Sequence, residues 1–543
     1  VKPGLSSYTA FRRCARGCSA YSVIYYTQRG RSLSTNEREK MRQKRRGEGR
    51  RILFDIGRSL ATIEVLEKPM GQAGQFPPEG KDSMQSMDEF LEKMKGRRVA
   101  VLGIGVSNRP LLSLLCQAGA VVTACDKKTE EELGDVAHQL RQQGVELHLG
   151  KNYLEGLDQD VIFKSPGIRP DVPQLEEARR RGCQITSEME VFFDVCPCPI
   201  LAVTGSDGKT TTTTLIAEIL SRAGYKVWVG GNIGQPLLPM AGQMAPDHLC
   251  VVELSSFQLM TMKKSPHVAV VTNVTPNHLD LHKSMAEYVQ AKENVFLYQH
   301  KCDLLVLNAD NKLTREMAKK AKGSLQMFSR KEVPENGACI EDGCVCKCRG
   351  GQRTPVMRLQ DIRIPGMHNV ENYMAALCAT SEYVQPDVVR QVAQEFGGVE
   401  HRIEFVREKD GVKYYNDAIA TSPARAIAGL HSFQQKLIVI AGGYDKKVPF
   451  DEYGDEACQH VKLLILTGAT APKLRQAVEH SKYFPGSGIA VAQCGTLEEA
   501  VRLASKRAKP GDIVTLSPVC ASFDAFPNFM AKGRAYKDFV NAL

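Results

Sequence analysis

From Arg98 to the C-terminus, short apolar runs alternate with stretches whose apolar residues recur at helical spacing. RVAVLGIG reads as a buried strand and a turn, the residues up to Leu115 as a helix, and AVVTACD as a second strand ending at Asp126. DVIFKSPGI, at 160–168, adds a strand and turn, and the proline-bearing CPCP at 196–199 reads as a linker. LAVTGSDGKTTTTTL, at 201–215, combines a strand, a glycine turn and a helix start. KVWVGGNIG, HLCVVELSS and HVAVVTNVTPNH follow, and later KLIVIAGGYDK, VKLLILTG and GDIVTLSPVCASFD. Strands this uniformly apolar belong to parallel sheets covered on both faces by helices. A chain of 543 residues exceeds a single core. The pattern predicts an α/β protein with folded domains at 87–195, 196–397 and 398–543.

Residues 1–86 break this pattern. The run 38–51 is almost wholly charged or polar, and 69–81 is rich in Gly, Pro and Gln. A disordered basic extension is expected there. The first 36 residues lack Asp and Glu and hold several Arg and Ser, which suits an organelle transit peptide. Regular patterning that begins directly after Met87 suits better a true start at Met87, with the preceding segment dispensable.

Composition narrows the class. The chain is 43% hydrophobic and 24% charged, and no apolar run approaches the ~18 residues of a membrane helix. Its net charge of +10 sits almost entirely in residues 1–86, with 17 Lys+Arg against 8 Asp+Glu. The remainder has 54 basic and 53 acidic residues, so a nucleic-acid surface is not indicated. The 17 cysteines are scattered through apolar runs, the usage of a reducing compartment. Cys339, Cys344, Cys346 and Cys348 alternate around an Asp-Gly turn, which predicts a β-hairpin with three cysteines on one face rather than a zinc site.

The densest chemistry lies in TGSDGKTT, 204–211. Gly205 and Gly208 permit a turn whose N–H groups face a phosphate. The following helix N-terminus and Lys209 favour an anion, and the Thr210 hydroxyl suits Mg²⁺ on a triphosphate. Val203 stands where the longer G-x-x-x-x-G-K-[ST] loop has its first Gly. Use of ATP or GTP is predicted. Glu253 ends an apolar strand, where a carboxylate can hold Mg²⁺. His278 ends another, and Lys292 lies on a helical stretch; taken singly, these two carry little. Gly103 and Gly105 form an incomplete G-x-G turn in which Asn108 replaces the third Gly, so nucleotide-diphosphate binding and a plain βαβ turn stay equally open.

Taken together, TGSDGKTT, GGNIG, VELSSFQL, TNVTPNHLDLH with AEYVQAKENVF, GMHNVENYMAAL, EHRIEF, YYNDAIATSP, IAGGYDKK and LSPVCASFDAF resemble, in this order, the Mur ligase family of bacterial peptidoglycan synthesis. The resemblance covers residues 88–543, and VELSSFQL and LSPVCASFD favour the D-glutamate-adding branch. It implies Rossmann-like N- and C-terminal domains around a central P-loop-type ATPase domain with a mostly parallel sheet. It also implies a cytoplasmic monomer, without nucleic-acid or membrane partners, that joins D-glutamate to UDP-N-acetylmuramoyl-L-alanine at the cost of ATP, through an acyl phosphate. In this reading Gly205, Ser206, Asp207, Gly208, Lys209, Thr210 and Thr211 bind the phosphates. Thr210, Glu253, His278 and a carbamylated Lys292 hold two Mg²⁺. His368, Asn369 and Asn372 match adenine- and ribose-side contacts, and Arg402 and Asp417 match nucleotide contacts from the last domain. Ser107, Asp126, Asn232, Ser255, Thr421, Lys446, Ser522, Phe523 and Phe529 match substrate contacts, the last three at the D-glutamate end. Ile419 replaces a lysine frequent in the branch, Asp445 replaces a Gly, and Asp126-Lys127-Lys128 replaces a frequent Asp-Thr-Arg. A folylpolyglutamate-type or other Mur-type ligase, or a relative that binds nucleotide without catalysis, is the alternative.

Overall fold

The structure is a computed structural model. It describes the backbone of Arg50–Ile56 and Ser59–Val65 and, with side chains, residues 85–105, 108–278, 281–445 and 448–543. Residues 1–80 and 81–543 form separate units. In the first unit β1 (Arg50–Ile56) pairs antiparallel with β2 (Ser59–Val65), Arg50 opposite Val65 and Ile56 opposite Ser59. These strands lie within the segment 1–86 expected to be a disordered extension, of which 1–49, 57–58 and 66–84 lie outside the described residues. RILFDI and LATIEV are rich in β-branched and large apolar residues, a local preference for strand that the charge run before them had masked.

The second unit contains three sheets. The first joins β3 (Arg98–Leu102), β4 (Val121–Asp126), β5 (Glu146–Leu149), β6 (Val161–Lys164) and β7 (Gln184–Thr186) in the order β5-β4-β3-β6-β7, all parallel. The second joins β8 (Ile200–Thr204), β9 (Val227–Gly231), β10 (Leu249–Glu253), β11 (Val268–Val271), β12 (Leu304–Asn308), β13 (Ser324–Ser329), β14 (Asn336–Glu341), β15 (Cys344–Arg349) and β16 (Gln352–Arg358). Its order is β16-β15-β14-β13-β12-β11-β8-β10-β9, with all strands in one direction except β15, which pairs antiparallel with both β14 and β16. The third joins β17 (Glu404–Lys409), β18 (Val412–Asn416), β19 (Leu437–Ala441), β20 (Val461–Leu466), β21 (Ala490–Gln493) and β22 (Ile513–Leu516) in the order β17-β18-β22-β19-β20-β21, with β17 alone antiparallel. The four-cysteine motif forms the β14–β15 hairpin, with Cys339, Cys346 and Cys348 buried together.

Core packing divides the unit unequally. One apolar cluster runs from Val99 and Phe163 of the first sheet to Val252, Ala269 and Leu305 of the second. The opposite face of the second sheet packs on two helices, α2 (Lys209–Arg222) and α4 (Met367–Ala379). The third sheet has a cluster on each face, both confined to residues beyond 402. The first two domains thus share a core, whereas the last keeps its own.

Candidate functional site

Adjacent parallel strands β8, β10 and β11 bring three loops to one carboxyl edge, the place where open α/β sheets bind ligands. The loop after β8 holds Gly205 to Gly208 and leads into α2. Gly208 has φ 77°, and a Cβ there would stand 2.4 Å from Asn372 Oδ1, so only glycine fits. A Cβ on Gly205 would meet Thr272 Oγ1 at 1.9 Å. Neighbouring elements brace the loop. Thr272 Oγ1 donates to the Asp207 carbonyl (2.5 Å), Asn273 Oδ1 accepts from Asp207 N–H (3.0 Å), and Ser206 Oγ lies 3.0 Å from Tyr288 Oη. Lys209 Nζ donates to the Gly205 and Ser206 carbonyls at 3.1 and 2.9 Å, curling the ammonium over the loop. Burial pushes its pKa down, while Glu253 and Asp207 hold it up. Thr210 and Thr211 open α2, Thr211 buried.

Asn372 and Asn369 come from α4 and are both buried. Asn372 Oδ1 accepts from Thr212 Oγ1 (3.1 Å), and its amide donates to Asn369 Oδ1 (3.1 Å). These two therefore hold the helix that follows the loop. His368 lies exposed one residue before Asn369.

Glu253 is 1% exposed. Its Oε1 accepts from Asn232 Nδ2 at 2.8 Å, whereas its buried Oε2 has no hydrogen-bond partner. A buried carboxylate oxygen without a partner is costly and suits a cation. Ser255, two residues on, caps a short helix by accepting from Gln258 N–H (3.3 Å). His278 is exposed, has φ 55°, and packs its ring against Phe257 at 5.5 Å.

Lys292 lies on α3 (Met285–Glu293), 1% exposed. Its Nζ donates to the Gly205 carbonyl at 2.7 Å. Burial, aided by the neighbouring Lys209 charge, pulls its pKa down to about 7, so the neutral amine is abundant near neutrality. Arg169, from the first domain, fixes this helix from outside. It donates to both oxygens of Glu287 (2.8 and 3.1 Å), to Asp171, and to the Leu281 carbonyl at 2.6 Å. Arg169 holds the Glu287 carboxyl down at about 2.

The last domain faces the same loop with Arg402. Burial lowers its pKa, and Asp417, Glu253 and Asp207 oppose that, placing the guanidinium within electrostatic reach of the phosphate loop. Asp417 follows β18, buried; Oδ1 accepts from Ile403 N–H (3.3 Å), and burial raises its carboxyl to about 7. The linker is strained: His401 has φ 66° and the β-branched Ile403 φ 44°. Thr421 is half-buried after β18. Ser522 is buried with an unpartnered hydroxyl, Phe523 is 65% exposed, and Phe529, which begins α5 (Phe529–Asn541), packs its ring 6.0 Å from His401. Tyr444 N–H donates to the Ala521 carbonyl at 2.8 Å, tying the loops after β19 and β22.

In the first domain Asp126 Oδ2 accepts from Ile104 N–H (2.6 Å) and Oδ1 from Lys128 N–H (3.0 Å), so the carboxylate shapes the glycine turn itself. Asn108, in place of the third Gly, opens a helix, α1 (Asn108–Gln117), and ties it to the Leu102 and Gly103 carbonyls at 3.3 and 2.9 Å. Ser107 and Lys446 lie outside the described residues. Nothing in the sequence marks Thr272, Asn273, Tyr288 or Arg169 individually as a site residue. The first two stand in the TNVTPNH motif and Tyr288 in AEYVQAKENVF, which was their only signal.

Comparison with known proteins completes the picture. Residues 97–187 match the family model "Mur ligase MurD-like, N-terminal domain", 203–380 "Mur ligase middle domain" and 401–520 "Mur ligase, glutamate ligase domain". A protein of Acetivibrio thermocellus named UDP-N-acetylmuramoylalanine--D-glutamate ligase is 52% identical over 460 residues, covering 84% of this chain and 99% of its own. One of the same name from Clostridium kluyveri is 50% identical over 458 residues, with the same coverage. Among solved structures, a UDP-N-acetylmuramate-alanine ligase from Thermotoga maritima matches with TM-score 0.51 at 18% identity, over 82% of this chain and 99% of its own. At that identity it speaks for the fold alone.

Proposed function

The chain belongs to the Mur ligase family, and from that premise we propose that it is the ATP-dependent ligase that adds D-glutamate to UDP-N-acetylmuramoyl-L-alanine in peptidoglycan precursor synthesis. The near-complete overlap with D-glutamate-adding relatives carries this reading. No helix among the described residues is long and apolar enough to cross a membrane.

A carboxylate is a poor electrophile. Transfer of the γ-phosphoryl of ATP to the alanyl carboxylate gives an acyl phosphate and ADP; the D-glutamate nitrogen then attacks the acyl carbon, and phosphate leaves as the amide forms. The first step brings two anions together. Lys209, Arg402 and the loop N–H groups offset that repulsion and align the phosphoryl group. Mg²⁺, when bound, neutralises the phosphate oxygens as a Lewis acid. The residues suit two such ions: Glu253 through its unpartnered Oε2, the Thr210 hydroxyl, the His278 imidazole and Lys292. Lys292 fits this set only as a carbamate. Its neutral nitrogen attacks CO₂, a proton leaves to solvent, and an anion replaces a buried cation. An amine lowered to about 7 supports that reaction. Asn232 steadies Glu253 and lies beside the muramoyl-side turn. Asn369, Asn372 and His368 line the nucleoside side. Asp126, Ser107 and Ser255 serve the UDP-muramoyl substrate, and Ser522, Phe523, Phe529, Thr421 and Lys446 the D-glutamate. The unpartnered Ser522 hydroxyl supports a carboxylate contact. The protein acts as a cytoplasmic monomer.

Phosphate release from ATP, measured with UDP-N-acetylmuramoyl-L-alanine and each of several amino acids, tests the function. Release with D-glutamate alone is expected; equal release with L-alanine or a diamino acid would overturn the substrate assignment.

A further inference from the structure

At the amino end of the central sheet, opposite the nucleotide loops, three thiols meet. Cys196 and Cys198 belong to the proline-bearing linker before β8, and Cys250 is the second residue of β10. Their Sγ atoms lie 3.6 Å (196–198), 3.7 Å (196–250) and 3.4 Å (198–250) apart. All three are buried, and the Met244 Sδ stands 3.6 Å from Cys250 Sγ. Backbone pairing fixes the arrangement: Cys250 N–H donates to the Pro199 carbonyl at 2.9 Å. The hairpin cysteines differ, since there the close sulfur pair is Cys339 and Cys348, at 3.4 Å.

Four sulfurs about a metal ion at ~2.3 Å form a tetrahedron with edges of about 3.8 Å. The three thiols stand within a few tenths of an ångström of one such face. The Met244 thioether beside Cys250 is at hand for the remaining corner, and a thioether donor selects soft ions. We propose that Cys196, Cys198 and Cys250, with Met244 as fourth donor, form a binding site for a thiophilic closed-shell metal ion of the zinc, cadmium or cuprous type. Binding replaces one proton on each coordinating thiol, and those protons pass to solvent. With a divalent ion and a neutral thioether the cluster carries one net negative charge, less than three bare thiolates would bring into this apolar setting. The bound ion would pin the linker between the first two domains to the strand that ends at Glu253.

The full chain, reduced and freed of metal, is titrated to equilibrium with Cd²⁺, with Zn²⁺ against a chromophoric chelator, and with Cu⁺ against a cuprous chelator. Thiolate-to-metal charge transfer, metal content and the thermal midpoint are read. One equivalent of at least one ion is expected, with a charge-transfer band and a raised midpoint. Cys196→Ala and Cys250→Ala should lose the band, while the double variant Cys339→Ala/Cys348→Ala should keep it. Met244→Leu conserves volume and should weaken binding about tenfold, which keeps the test decisive if a cysteine variant fails to fold. Absence of stoichiometric binding by all three ions, a band that survives in Cys250→Ala and Met244→Leu, or a band lost only with the hairpin pair would overturn the proposal.

Discussion

Lys292 concentrates the chemistry of single residues. A buried ammonium facing a second lysine is unfavourable, and the Gly205 carbonyl, the Tyr288 ring face at 4.6 Å and the charges of Asp207 and Glu253 relieve it only in part. The folded amine at about 7, against 10.5 when unfolded, makes stability rise with pH between those values, because the unfolded chain binds the extra proton there. Lys292→Met should therefore flatten this rise, read from urea midpoints between pH 6 and 10. Lys292→Ala should abolish phosphate release, and short carboxylic acids should restore part of it by standing in for a carbamate. A ¹³C-carbamate resonance on adding labelled bicarbonate, lost in the same variant, provides a readout independent of activity. Lys209→Ala should abolish ligation yet leave UDP-substrate binding intact by calorimetry. The residue types in TGSDGKTT and their spacing were legible from the chain because a phosphate loop is local. The bare Oε2 of Glu253 was not, since partnering is decided by packing from Asn232, 21 residues away.

Elements act here through their ends. The strands β8, β10 and β11 read plainly from apolar runs, whereas their adjacency in the sheet is a crossover matter that periodicity does not carry. The same holds for Arg169, an ordinary surface residue by sequence and yet the brace of α3. Its pairing holds the Glu287 carboxyl near 2, so this pair adds stability at pH above 4.5 that fades as pH falls toward 2. Arg169→Met should cost about 2 kcal/mol at neutral pH, measured by denaturant titration, and should remove that acid-side slope. It should also lower kcat more than ATP affinity, because it loosens the helix carrying Lys292 without touching nucleotide. A similar logic applies to Gly208→Ala. The added methyl must displace Asn372 and adopt a left-handed φ, so ATP affinity should fall by at least tenfold in a nucleotide-binding assay while the UDP site stays unaffected.

At the scale of the whole molecule, the distribution of core decides what can move. The first two domains share one apolar cluster and are clamped by Arg169, so they behave as one body. The last domain has no apolar cluster in common with them among the described residues, and polar interfaces of that kind permit rotation. Its attachment passes through Gly397-Gly398 to His401 and Ile403, whose left-handed φ values are held by Asn416 and Asp417. Arg402 lies between His401 and Ile403, so the proposed nucleotide contact of Arg402 would be coupled directly to linker geometry. The reaction needs such coupling, because the acyl phosphate must meet D-glutamate away from water. The radius of gyration in solution should therefore fall when a non-hydrolysable ATP analogue and UDP-N-acetylmuramoyl-L-alanine are both present. Asp417→Ala, which leaves Ile403 N–H without its side-chain acceptor, should weaken that compaction and reduce kcat. An unchanged radius in the native chain would mean that the last domain is fixed, and that shielding from water must come from loops alone.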